Sequence, residues 1–208
     1  MSNCAFCYKQ KKCKFEDGSS LPDCPIVNQA EAVEFSRQQY LHGDDSEFML
    51  QSLRQVAAGY EVMDQKPHPI KNRLEEIIEF CHRMNYKKLG LAFCTALEDD
   101  ARILAAVLRR SGFEVVSAVC KVGGLKKEEV GLEEDGKIVP GRREISCNPI
   151  LQAELMNREA TDFNIVFGLC LGHDSLFLKH SKAFCTVFVV KDRVLKHNPI
   201  LALDAYRR

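Results

Sequence analysis

Apolar residues recur at helical spacing over the first third of the chain and in short unbroken runs after it. The pattern is helical over residues 26–41 and again over 47–63, where Met49, Leu53, Val56, Ala57, Tyr60 and Met63 share one stripe. Lys66-Pro67-His68-Pro69 interrupts it, and Asn72 with Glu75 opens the next helix as a capping box, turning Leu74, Ile77, Ile78 and Cys81 inward. Residues 89–93 read as a short buried strand. Residues 98–111 form a helix with Ile103, Leu104, Val107 and Leu108 on its inner face, stopped by Gly112, and 113–119 form the second strand. A polar insertion spans 121–143. Then come a helix opened by Pro149 and running to Arg158, a strand over 163–169, a helix over 173–182 and a strand over 183–190. Lys191-Asp192-Arg193 turns the chain toward a short terminal helix over 200–206.

Strands separated by helices of this length imply a parallel sheet with right-handed crossovers. The expected fold is α/β: a three-layer, mostly parallel Rossmann/flavodoxin-like domain over 67–208, preceded by a cysteine-rich head over 1–25 and a helical pair over 26–66 packed on the core. The head is short of aliphatic residues and carries Lys9, Lys11, Lys12, Gly18, Ser19 and Ser20. It has too little to bury for a core of its own, and a bound metal is the expected source of its stability.

Charge and cysteine content narrow the chemistry. Lys plus Arg and Asp plus Glu each number 29, so bulk charge argues against a nucleic-acid or acidic-membrane partner. With neither a signal peptide nor a run of about 18 apolar residues, the expected location is cytoplasmic. Disulfides seldom persist there, so the ten cysteines point to metal ligation, nucleophilic chemistry or burial.

Four of them, Cys4, Cys7, Cys13 and Cys24, stand in the head. Cys4 and Cys7 have the knuckle spacing that grips one ion, whereas the later spacings fit neither a standard zinc ribbon nor a complete ferredoxin pattern. Four thiolates around one centre suit zinc or a [4Fe-4S] cluster. Zinc there would be structural, and a cluster would carry electrons.

Cys94, Cys120 and Cys170 each follow a predicted strand, and Cys147 precedes the helix opened by Pro149. All four are therefore expected at the carboxyl edge of the sheet, where open α/β folds bind ligands. They are candidates for a second cluster or metal and for contact with a small-molecule ligand or redox partner; the plainer reading is cysteine as a small apolar residue. Cys81 and Cys185 read as packing.

Gly168-Leu169-Cys170-Leu171-Gly172-His173-Asp174 has the form of a nucleophile elbow, which makes Cys170 and His173 candidate catalytic residues. Over these seven residues it resembles the elbow of class I glutamine amidotransferases, which implies a cysteine nucleophile paired with a downstream histidine and an acid. His197 lies downstream within Lys196-His197-Asn198-Pro199, without the His-Pro-Glu of that family. Asp174 or Ser175 is a candidate helix cap, the glycines of the insertion suit a lid, Gly123-Gly124 is a candidate anion cradle, and Arg142 with Arg143 is a candidate anion clamp.

A longer resemblance covers nearly the whole chain. The head thiols, Asn148-Pro149-Ile150-Leu151-Gln152-Ala153, Thr161-Asp162-Phe163-Asn164-Ile165-Val166, Gly168 to Phe177, and Lys191-Asp192-Arg193-Val194 with His197-Asn198-Pro199 carry it. The chain resembles a prokaryotic family, domain of unknown function family 1847, described as metal-binding because of its cysteines. That resemblance implies metal binding and no particular reaction.

Overall fold

In a computed structural model, which describes residues 4–7, 13 and 18–207, the chain divides into two units, Met1–Pro67 and His68–Arg208. The first holds α1 (Pro25–Asn28), α2 (Ala30–His42) and α3 (Ser46–Ala58), then the strand β1 (Tyr60–Met63), which pairs with β2 (Lys66–Pro69). The helical pattern expected through Met63 thus stops five residues early. Gly59 receives the end of α3, and Asp64 and Gln65, both left-handed at φ 50° and 60°, make the two-residue turn of a hairpin where a helix and a breaker were expected. The stripe of α3 differs too: Gln51 and Gln55 are buried, whereas Leu53 is 55% exposed.

The second unit opens with α4 (Arg73–Arg83). Asn72 Oδ1 accepts from the Leu74 and Glu75 amides at 3.0 and 3.1 Å, and Glu75 returns a bond to the Asn72 amide at 2.8 Å. This is the expected capping box, and it satisfies amides that the helix itself leaves open. The chain then alternates β3 (Lys88–Phe93), α5 (Glu98–Arg110), β4 (Glu114–Val119), α6 (Pro149–Arg158), β5 (Phe163–Phe167), α7 (His173–His180) and β6 (Phe184–Val189). The four strands form one sheet in the order β4-β3-β5-β6, every pair parallel. A terminal 3-10 helix spans Pro199–Tyr206.

Strands buried on both faces have no need of alternation, which is why Leu89-Gly90-Leu91-Ala92 and Phe163-Asn164-Ile165-Val166 read as continuous runs. On one face Phe80 of α4 packs against Phe163 at 5.8 Å between ring centres. On the other, Met156 of α6 and Phe177 of α7 join Ala92, Ala118 and Val166 in a buried cluster that includes Cys94 and Cys120. Asp162 sets the register at the amino edge, its Oδ2 accepting from the Lys87 and Lys88 amides at 2.7 and 2.8 Å. The inner face of α5 is Ala101, Leu104 and Leu108; Ile103, expected to face in, is 63% exposed.

The strand order positions the site. From β3 the chain crosses outward to β4 and then back over β3 to β5, so the direction of winding reverses beside β3. Helices on opposite faces diverge there and leave a crevice beyond the carboxyl ends of the strands.

Candidate functional site

The crevice is a cleft of about 810 Å³ whose wall includes Cys94, Cys120, Cys147 and Cys170. Four separate segments deliver these thiols. Cys94 and Cys120 stand one residue past β3 and β4, their amides still on the ladder to Phe167 O (3.1 Å) and Phe93 O (2.8 Å). Cys147 enters from the insertion, and the Asn148 amide donates to Cys120 O at 2.7 Å, laying residue 147 beside residue 120. Asn148 then caps α6 through its side chain to the Leu151 amide at 3.0 Å, with Pro149 in the first turn. Cys170 follows β5 on the turn into α7.

The first three thiols form a hydrogen-bonded series. Cys94 bonds to Cys120, which together with burial pushes the Cys94 thiol up to about 12. Cys120 in turn bonds to Cys147. That bond draws the Cys147 thiol from the usual 9.0 down to about 7, against the pull of its partial burial, and raises the Cys120 thiol. The Thr95 amide also donates to Cys120 Sγ at 3.4 Å. Cys94 and Cys120 are buried and Cys147 is half-buried, so Cys147 is the member of the series most open to the cleft.

Cys170 has a different partner, the Arg193 guanidinium, whose Nη2 donates to Cys170 Sγ at 3.2 Å. The elbow forms as its glycines require: Gly168 and Gly172 are left-handed at φ 66° and 81°, and the His173 and Asp174 amides close the turn on Cys170 O. Gly172 is the N-cap of α7. Asp174, a candidate cap, lies one residue inside the helix and accepts from the Ser175 amide at 2.8 Å. His173 lines the cleft with Nδ1 buried and without a hydrogen-bond partner. His197 is not brought to Cys170: its Nδ1 accepts from the Asp192 amide at 3.0 Å, and it lines a separate apolar hollow with Leu104 and Phe188.

The insertion builds the facing wall. Lys126 bridges to Ile145, and the Ser146 amide bonds Leu125 O at 2.7 Å, so its two ends run side by side. Between them the Lys137 side chain, 4% exposed, pairs with Glu128 and Glu134, and Lys127 pairs with Glu144. Glu128 and Glu134 remain exposed to water while they pair with Lys137. Val130, Leu132 and Ile138 turn apolar surface to the cleft, and Arg143 stands at its rim.

This wall is acid-sensitive by construction. The Lys127 ammonium, with the Val139 amide, holds the Glu144 carboxyl at about 2 instead of the ordinary 4.5. A depressed carboxyl contributes stability that is present above the unfolded value and lost as pH falls through the folded one. Pepsin cleavage within 121–146, normalised to an unfolded peptide, is therefore expected to rise from about pH 4 to about pH 2. In Glu144→Gln cleavage should already be high at the upper pH. Equal cleavage of both proteins throughout would contradict the assignment.

The head thiols are placed individually. Cys4 begins a 3-10 turn over Cys4–Phe6, the Cys7 amide bonding Cys4 O at 3.3 Å, and Cys24 stands at the N-cap of α1. Cys4 and Cys13 are exposed, and Cys7 and Cys24 are half-buried. Lys9, Lys11 and Lys12 of the head reading lie outside the described residues. Among the described residues no three His, Cys, Asp or Glu side chains are gathered closely enough to hold a metal ion. Cys81 is fully buried in α4, its thiol pushed up to about 12 by burial and then by Asp162, and Cys185 packs half-buried in β6.

Arg193 is the site residue that sequence reasoning missed, being read there as part of a turn. Its signal was topological: the loop after β6 leaves the same sheet edge as the loop that carries Cys170.

No helix among the described residues is long and apolar enough to cross a membrane. Among curated proteins the chain is similar to an uncharacterised protein of Methanocaldococcus jannaschii, 56% identical over 128 residues, which are 62% of this chain and 64% of that protein. The match thus spans less than two thirds of the relative's length. No solved structure matches the chain. The family model described as "Protein of unknown function (DUF1847)" matches residues 24–188, well over half of the chain and all of the strands that build the cleft except the end of β6. The chain belongs to this family of unknown function.

Proposed function

We propose that the protein is a metal-binding protein whose working centre is the cleft, where Cys94, Cys120, Cys147 and Cys170 hold zinc or an iron–sulfur cluster at the carboxyl edge of a Rossmann/flavodoxin-like sheet. The observation that carries the reading is that four thiols from four segments of the chain line one crevice at the reversal of winding. A donor set of thiolates alone selects soft or borderline metals. Four thiolates around zinc or a cluster leave excess negative charge, and Arg193 and Lys121 on the same wall offset it. The sulfurs are not gathered on one point, so ligation requires rotation of the half-buried Cys147 and Cys170 toward the buried pair. A cluster here would serve redox chemistry on a small ligand in the cleft. The thiols Cys4, Cys7, Cys13 and Cys24 form a second proposed centre, zinc or [4Fe-4S], which ties down the head. All ten cysteines are free, as suits a cytoplasmic protein.

The test is anaerobic purification followed by metal and sulfide analysis and an absorption spectrum. Wild-type protein is expected to hold metal at two separable sites. Cys147→Ala with Cys170→Ala should remove one share, and Cys4→Ser with Cys7→Ser the other. Broad visible absorption with iron and sulfide identifies a cluster, and a colourless zinc protein identifies the closed tetrahedral alternative. Metal content unchanged by the paired cleft substitutions would overturn the cleft reading. Metal-free protein in which Cys170 is alkylated first would favour the cysteine-nucleophile reading, which the Arg193 contact supports.

A further inference from the structure

We infer that Cys147 and Cys120 form a dithiol that exchanges with small anionic disulfides, Cys147 attacking and Cys120 resolving. The inference goes beyond metal binding and stands without it. It starts from the bond between the Asn148 amide and Cys120 O at 2.7 Å, which holds the two cysteines abreast on adjacent strands of chain. Cys147 packs against the buried cluster that holds Cys120, and both line the same cleft. A disulfide brings sulfurs to about 2.05 Å and needs Cα atoms within about 7 Å, a requirement that two residues laid side by side by the Asn148 hydrogen bond suit.

The two thiols differ in access, which fixes the order of events. Cys147 is half-buried on the wall of the cleft, whereas Cys120 is 2% exposed beneath it. An incoming disulfide meets Cys147 first. The Thr95 amide aimed at Cys120 Sγ supports negative charge there when Cys120 loses its proton. Cys94 is buried like Cys120, and Cys170, held by Arg193, is the competing thiol on the same wall.

The electrons balance as follows. The Cys147 thiolate attacks one sulfur of a disulfide RSSR; the S–Cys147 bond forms, the RS–SR bond breaks, and RS⁻ leaves and takes up the proton that Cys147 gave to solvent. Cys120 then attacks the Cys147 sulfur, its proton passing to the second departing RS⁻, and the Cys120–Cys147 bond replaces the mixed disulfide. Two protein thiols are oxidised and one disulfide is reduced to two thiols.

The substrate class follows from the cations of the cleft. Lys121, Arg143 and Arg193 stand on its wall. The Lys121 ammonium bonds to Ile145 O, two residues before Cys147, and Arg143 lines the same cleft. Among the described residues the carboxylate on the wall is Glu144, which is already paired with Lys127. An anionic disulfide such as oxidised glutathione is favoured over a cationic one.

The experiment uses the full chain, reduced and treated with chelator so that a bound ion cannot mask either sulfur; metal analysis of the untreated protein reports separately on the metal reading. Oxidised glutathione is added anaerobically, and disulfides are mapped by mass spectrometry of non-reduced peptides. A Cys120–Cys147 link is expected. In Cys120→Ser the reaction should stop at a glutathione adduct on Cys147. In Cys147→Ser, Cys120 should stay unmodified over the same time although circular dichroism shows a folded chain. Oxidised glutathione should react about tenfold faster than cystamine, a ratio that salt and Arg143→Ala both reduce. A first adduct on Cys94 or Cys170, absence of the Cys120–Cys147 link, or equal rates with the two disulfides would overturn the assignment.

Discussion

Gly90→Ala is expected to cost about 2–5 kcal/mol of folding stability, from overpacking together with a broken buried polar network. Gly90 lies in mid-β3, paired with Val116 on one side and Asn164 on the other. A methyl group at residue 90 would sit 1.9 Å from Asn164 Oδ1 and 2.6 Å from Met156 Sδ. Met156 is flexible, but Asn164 has nowhere to go. It is fully buried, its Oδ1 accepts from the Thr161 hydroxyl at 2.8 Å, and its Nδ2 donates to Ser181 Oγ at 2.8 Å. Urea unfolding should show a lower midpoint at unchanged slope. Adding Asn164→Ala should cost less in the Gly90→Ala background than in wild type, because the alanine has already displaced the amide. A Gly90→Ala midpoint within error of wild type would sink the argument.

The pairing of Gly90 with Asn164 also illustrates what a linear reading holds and what it leaves out. The alternation of strands and helices between residues 88 and 189 is legible because runs such as Leu89-Gly90-Leu91-Ala92 suit only a strand covered on both faces. Cys94 and Cys120 directly follow such strands, so their placement at the carboxyl edge is legible as well. The glycine and the asparagine within two apolar strands look like separate blemishes until the register sets them side by side. The hairpin of β1 and β2 is hidden for another reason. Tyr60, Val62 and Met63 prolong a helical pattern, and Asp64-Gln65 lacks the glycine that usually announces such a turn. Lys137 and Arg193 are illegible because their roles depend on partners. A lysine reads as solvated until two carboxylates surround it, and the contact of Arg193 with Cys170 joins residues 23 apart through two different loops.

Phe177→Ala is expected to cost about 3–5 kcal/mol, the usual range for emptying a buried aromatic site, and to loosen the cleft as well as the core. Phe177 is fully buried, the largest such side chain in the second unit, and packs with Met156, Val166, Cys94 and Cys120. It is the one buried residue of α7, whose eight residues are otherwise half-buried or exposed. The helix's other hold is on α6, where Asn157 Nδ2 donates to His180 O at 2.9 Å at the far end of α7. The first turn of α7 in turn closes the elbow through the His173 and Asp174 amides on Cys170 O, at 3.0 and 3.1 Å. A helix that loses its anchor releases this turn and with it the contact between Cys170 and Arg193. Amide exchange at residues 173–175 should therefore accelerate more than the global loss of stability accounts for. Phe177→Leu keeps most of the apolar volume, so it should cost roughly 1 kcal/mol and leave those amides protected. If both substitutions lowered stability alike while the elbow amides followed only the global change, α7 would be held by contacts other than Phe177, and the coupling between core and cleft would fail.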